Sequence, residues 1–166
     1  MKIRKICKFV FIGVLSLVLL LNMVRLFKRV VLREQIPMLL GYGNAAVVSG
    51  SMEPAIVVGD MIIIHRQSDY EVGDIVTYRG THTSVTHRIT EKTAGGYITK
   101  GDANNADDVE IERSLIIGKV VKIVPNAGDV FFFLQSPLGT LIVFVVFILL
   151  IGLLFLIERL KKKPNE

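Results

Sequence analysis

Residues 138–157 read LGTLIVFVVFILLIGLLFLI, twenty positions without one charge. Twenty apolar residues are about what a helix needs to cross a bilayer core. Glu158-Arg159-Leu160-Lys161-Lys162-Lys163 follows, a basic stop of the cytoplasmic kind. Phe131-Phe132-Phe133 precedes the span, where aromatic rings often mark the interface. A buried core helix is the rival reading, and uniform apolarity over twenty residues speaks against it.

The other end of the chain has a shorter counterpart. Phe9 to Val24 is a charge-free run of sixteen residues. At ~1.5 Å per residue it reaches only ~24 Å, so a full crossing must continue toward Val31 with Arg25 and Lys28 snorkelling. A cleaved leader is the rival reading, with Lys2-Ile3-Arg4-Lys5 as its basic start. Bulky, basic Val24-Arg25-Leu26-Phe27-Lys28 stands where small residues would be required, which favours an uncleaved anchor.

Charge supports that organisation. The 166 residues hold 20 Lys and Arg against 15 Asp and Glu. Residues 1–34 take eight of the basic groups and one acid; residues 158–166 take four and two. The middle is left mildly acidic. Cations beside greasy segments suit anionic headgroups and give no basic face for a phosphate backbone, so nucleic-acid binding is excluded. The expected organisation is an N-terminal anchor with its basic flank over 1–34, an extracytoplasmic domain over 35–135, a transmembrane helix over 136–157 and a basic cytoplasmic tail over 158–166. Both termini are then cytoplasmic. The single Cys7 excludes a disulfide framework.

The middle is patterned differently. Residues 45–48, 61–64, 74–78, 84–89, 96–99 and 115–123 are rich in Val, Ile and Thr and are separated by Gly, Asp and Asn. They predict a mainly β domain of short antiparallel strands between two transmembrane helices. Val58-Gly59-Asp60 and Val72-Gly73-Asp74 read as turns, with Gly taking an awkward φ and Asp capping. The apolar stretch Ile36-Pro37-Met38-Leu39-Leu40 is a candidate for resting on the outer leaflet.

One strand runs into Ser49-Gly50-Ser51-Met52-Glu53-Pro54. A strand ending in small residues can hold a hydroxyl toward a substrate; Gly50 would admit a neighbouring backbone and Pro54 stiffen the exit. Spacing alone leaves this an ordinary loop as readily as a nucleophile. A serine nucleophile needs a base, and imidazole with its ordinary pKa near ~6.5 suits neutral pH. Of His65, His82 and His87, only His87 falls inside a β-like run that would hold its ring. The three are scattered without metal-ligand spacing, so no metal is expected. The orienting acid is sought in Asp102-Ala103-Asn104-Asn105-Ala106-Asp107-Asp108. That segment fails as a calcium loop, because position six is Asp107 rather than Gly.

Four segments in this order resemble the type I signal peptidase family, in its endoplasmic-reticulum-like branch with a Ser-His pair. Ser49 to Pro54 resembles the nucleophile box, and Gly73-Asp74-Ile75-Val76 the strand box after it. Val85-Thr86-His87-Arg88-Ile89 resembles the base box, and Thr99-Lys100-Gly101-Asp102 through Asp108 the Gly-Asp-Asn box. The resemblance covers about 45–124, with Ala103 inserted before the Asn pair. It implies Ser51 as nucleophile, His87 as base, Asp108 as acid, Asp102 as a further important carboxylate, and the Ser51 N–H with Ser49 at the oxyanion. It further implies no cofactor, substrates that are preproteins with signal peptides and small residues before the cut, a bilayer setting, and possible accessory subunits. The implied site is the cell membrane, or that of the endoplasmic reticulum in a eukaryote. Two rivals remain: a non-enzymatic membrane protein with an extracellular β-domain, and a self-cleaving Ser-Lys protease using Lys92 or Lys100.

Overall fold

The computed structural model describes residues 2–161. Its elements are α1 (Lys2–Val30), β1 (Tyr42–Ala46), β2 (Met61–His65), β3 (Ile75–Arg79), β4 (Ser84–Lys92), β5 (Gly96–Lys100), β6 (Ile111–Glu112), β7 (Ile116–Val124), α2 (Gly128–Gln135) and α3 (Pro137–Lys161). A 3-10 turn, Arg113–Leu115, joins β6 to β7. Two helical segments, Phe9–Val30 and Pro137–Ile157, are long and apolar enough to cross a membrane. Lys162 and Lys163 of the expected stop lie outside the described residues.

Residues 28–132 form a compact unit of their own. All seven strands belong to one antiparallel sheet, in the order β1-β2-β7-β3-β4-β5-β6. This is the mainly β domain flanked by two apolar helices that the sequence predicts. Its insertion of β7 between β2 and β3 closes the sheet late in the chain. β-Branched side chains suit a pleated, half-buried surface, and alternation decides which of them go inward. In β2, Ile62 and Ile64 are buried while Met61, Ile63 and His65 are only half-buried. In β4, His87 and Ile89 share the inward face.

Two apolar clusters result. One gathers Ile36, Met38, Met52, Ile56, Ile62, Ile64 and Ile117; the other gathers Tyr70, Val76, Tyr78, Ile89, Tyr97, Ile111 and Ile116. The first cluster corrects the reading of residues 36–40 as a leaflet-resting stretch: Ile36 and Met38 are core, and only Leu40 is fully out, at 99% exposure. The apolar character of that stretch serves packing on β2.

The Gly-Asp turns behave as read. Gly59 and Gly73 have φ of +91° and +94°, where L side chains are strained. Asp60 accepts from the Val57 N–H at 3.1 Å, and Asp74 from the Glu71 N–H at 3.1 Å.

Candidate active site

Strand β1 ends at Ala46, and the next residue leaves the ladder to bond a loop. Val47 donates to the Asp60 carbonyl at 2.8 Å and accepts from the Gly59 N–H at 3.0 Å. That turns the chain so that Ser49 is exposed and Ser51 half-buried at one wall of a cleft. On the other wall stand Ser84 to His87 of β4. The cleft holds about 370 Å³, and Ala45, Val47, Met52, Ile56 and Val85 give it an apolar lining.

His87 sits opposite Val76 in the β3–β4 ladder and is 6% exposed. A strand position buried this well fixes the ring. Its Nε2 lies 3.2 Å from the Ser51 Oγ, and its Nδ1 lies 2.5 Å from the Asp108 Oδ2. A carboxylate only accepts, so Nδ1 carries the proton and the Nε2 lone pair faces the Ser51 hydroxyl. This is the tautomer a general base requires.

Asp108 is held in its turn. Its backbone N–H donates to the Thr99 carbonyl at 2.7 Å, tying it to β5. The Thr99 hydroxyl donates to Oδ2 at 2.7 Å, and the Tyr78 hydroxyl to the same oxygen at 3.3 Å. Thr99 is fully buried and Tyr78 nearly so. Burial pushes the Tyr78 phenol above its ordinary pKa; the Thr99 hydrogen bond opposes this and the Asp108 charge adds to it. Tyr78 therefore stays a donor across the ordinary pH range. Neither Thr99 nor Tyr78 has a role in the sequence reading. The available signal was their inward parity on strands next to His87.

Asp102 does not reach His87. Its carboxylate takes a two-pronged pair from Arg88, Nε to Oδ1 at 2.9 Å and NH2 to Oδ2 at 2.7 Å. That contact raises the Arg88 pKa further. Arg88 also donates to the Gly73 carbonyl at 2.9 Å, so Asp102 braces two turns. Asp107 is exposed.

The loop carrying Asp102 also grips the serine turn. The Ala103 N–H donates to the Ser51 carbonyl at 2.9 Å. A Cβ on Gly101 would stand 2.6 Å from that same oxygen, so only glycine fits. The close approach expected at Gly50 occurs here instead, since a Cβ on Gly50 would meet only the Glu53 side chain. The inserted Ala103 thus supplies a donor.

The Ser51 N–H has no protein acceptor among the described residues. His65 stacks on Tyr42 with centroids 4.3 Å apart, and His82 is exposed in the β3–β4 hairpin. Lys92 pairs with Asp69 at 2.7 Å, a contact that raises its pKa. Among the described residues no group of three or more metal-ligating side chains converges.

Buried imidazole between a hydroxyl and a carboxylate can deprotonate the hydroxyl for attack on a carbonyl. A Peptidase S24-like family model matches residues 42–121, the stretch that contains this arrangement. The signal peptidase complex catalytic subunit SEC11 of Metarhizium acridum is 36% identical over 132 residues, 68% of this chain and 74% of that protein. SEC11 of Pyricularia oryzae is 40% identical over 101 residues, 51% of this chain and 59% of that protein. SEC11 of Sclerotinia sclerotiorum is likewise 40% identical over 101 residues, again 51% and 59%. The chain therefore spans less than two thirds of the length of several curated relatives it matches. It belongs to the type I signal peptidase family, in its endoplasmic-reticulum-like branch.

Proposed function

We propose that this chain is a membrane-bound serine endopeptidase that removes N-terminal signal peptides from secreted preproteins. The observation that carries the reading is the hydrogen-bonded run Ser51–His87–Asp108 at the wall of an apolar cleft. The names of the SEC11 relatives support the substrate class.

In the proposed reaction His87 Nε2 takes the Ser51 proton as Oγ attacks the scissile carbonyl. The Ser51 N–H, free of acceptors among the described residues, and the nearby Ser49 hydroxyl serve the oxyanion; one such donor is commonly worth ~10²–10³ in rate. The imidazolium then protonates the leaving amine. Water, deprotonated by the same nitrogen, releases the acyl group and restores Ser51. Asp108 keeps the ring in its productive tautomer, and Asp102 with Arg88 keeps the loops in place. No cofactor enters the scheme.

The peptide is expected to lie extended in the cleft. The β5 pairing of β4 begins only at Arg88, so one edge of residues 84–87 is open for a further strand. The walls at Ala45, Val47 and Val85 suit small apolar residues before the cut. The spans at Phe9–Val30 and Pro137–Ile157 support a bilayer setting with both ends cytoplasmic and residues 35–135 outside. Accessory subunits belong to this proposal through the relatives' complex.

The test uses the full chain in lipid vesicles with a preprotein whose leader ends in Ala-Xaa-Ala. One cut after the second Ala is expected, and mass spectrometry of the products locates it. No cut, with the sheet intact by circular dichroism, would overturn the reading.

A further inference from the structure

A second cleft, lined by residues other than those of the Ser51–His87 cleft, opens at the ends of three central strands. Antiparallel order β2-β7-β3 brings the end of β2, the start of β7 and the end of β3 to one edge. Arg66 follows β2, Arg79 ends β3, and Arg113 leads into β7. All three line a cleft of about 520 Å³, together with Gln67 and Ser114. Arg66 and Arg79 also line an adjoining one of about 220 Å³ that reaches Lys28. Neither cleft shares a residue with the Ser51–His87 cleft.

These cations are unequally engaged. Lys28 is shared between Glu34 at 3.4 Å and the Met38 carbonyl at 2.9 Å. Arg113 lies 3.6 Å from Asp69, a carboxylate already bonded by Lys92 and Tyr97. Arg66 and Arg79 have no carboxylate in salt-bridge reach among the described residues. Two exposed guanidiniums without carboxylate partners lining one concavity give it a positive potential that favours an anion. Among the described residues the one acid on the lining is Glu34, which is taken by Lys28.

We propose that this cleft binds a phosphate group, held between the guanidiniums of Arg66 and Arg79 with Arg113 behind. A carboxylate is planar and is satisfied by one guanidinium fork; a tetrahedral phosphate offers oxygens to several forks from different sides. The lining begins at Lys28, in the last turn of α1, whose apolar segment runs to Val30. Chain connectivity therefore ties the cleft to the polar end of an apolar segment, where phosphodiester headgroups are concentrated. A phospholipid headgroup and free phosphate share the chemistry.

The full chain in non-ionic detergent is titrated with phosphatidylglycerol, and bound lipid is counted by native mass spectrometry. Arg66→Gln and Arg79→Gln should each weaken retention about tenfold, as expected for loss of a charge-assisted pair. Lys122→Gln, an exposed cation on β7 outside both clefts, controls for net charge and should change nothing. Inorganic phosphate is added in a second arm: displacement of the lipid identifies the bare phosphate as sufficient, and persistence identifies the lipid headgroup. Equal retention by wild type and both arginine variants, or an equal loss with Lys122→Gln, would overturn the proposal.

Discussion

The Thr99 hydroxyl donates to the Asp108 oxygen, 2.7 Å away, that also faces Nδ1 of His87. A buried β5 side chain thereby fixes the acid that fixes the proposed base. Thr99→Val keeps the shape and removes the donor. It should lower kcat roughly tenfold with KM little changed, because a hydrogen bond to a charged group is worth about 1.5–3 kcal/mol. Steady-state kinetics on a preprotein checks this; a change in KM alone would contradict it.

Asp108 and Asp102 separate cleanly. Asp108→Asn should cut kcat by about 10⁴, the cost of the wrong imidazole tautomer in the serine-protease case. Asp102→Asn should cost far less. Its effect should coincide with that of Arg88→Gln, and the double variant should be no worse than either single one, since both break one pair. An Asp102→Asn enzyme as dead as Asp108→Asn would place Asp102 in the chemistry.

Tyr78 gives a pH signature. Its folded pKa is raised, mainly by burial. The protonated phenol therefore stabilises the fold fully below its ordinary pKa of ~10, and that contribution is lost as pH rises through the higher folded value. Urea unfolding from pH 8 to 11.5 should show wild type losing stability at the alkaline end and Tyr78→Phe losing less. Parallel curves would contradict the assignment.

Much of this was readable in the chain. The β-branched runs at 61–64, 96–99 and 84–89 became β2, β5 and β4, because alternation and turn residues agree there. The run at 45–48 became a strand at 42–46 instead. Val47 spends its N–H and carbonyl on residues 59 and 60, a choice set by loop geometry that local sequence does not carry. β6 has two residues, too few for any period. The placement of β7 between β2 and β3 depends on partners distant in the chain, such as Lys119 on Val76, and the core position of Ile36 and Met38 depends on Met52, Ile62 and Ile117. At the site, residue identities were legible through the four motifs. The resemblance already implied Asp108 as the acid; the pairing of Asp102 with Arg88 and the support of Asp108 by Thr99 and Tyr78 came only with the structure.

Gly101 offers a steric test. A Cβ there meets the Ser51 carbonyl at 2.6 Å. Gly101→Ala should destabilise the fold by about 1–3 kcal/mol, as overpacking does, and should lower kcat by shifting the serine turn that Ala103 grips. Gly50→Ala, facing only a flexible Glu53, should do much less. Equal effects would show that the 101–103 loop does not set the Ser51 position.

The lysine-base alternative is weighed by Lys92→Ala and Lys100→Ala against His87→Ala in one lipid preparation. Lys92 is paired with Asp69 and stays charged, so its loss should leave most of the activity. Lys100 adjoins Gly101 and its loss should be felt through that turn alone. His87→Ala should be inactive. A dead lysine variant beside an active His87→Ala would replace the proposed base.

The most direct measurement compares cleavage of a preprotein in vesicles by wild type and Ser51→Ala. The substitution removes one oxygen from a half-buried turn and should leave the sheet folded. Cleavage should fall by several orders of magnitude, ~10⁶ where a serine nucleophile has been removed in subtilisin. Cleavage by Ser51→Ala at a rate near wild type would contradict acyl transfer through Ser51.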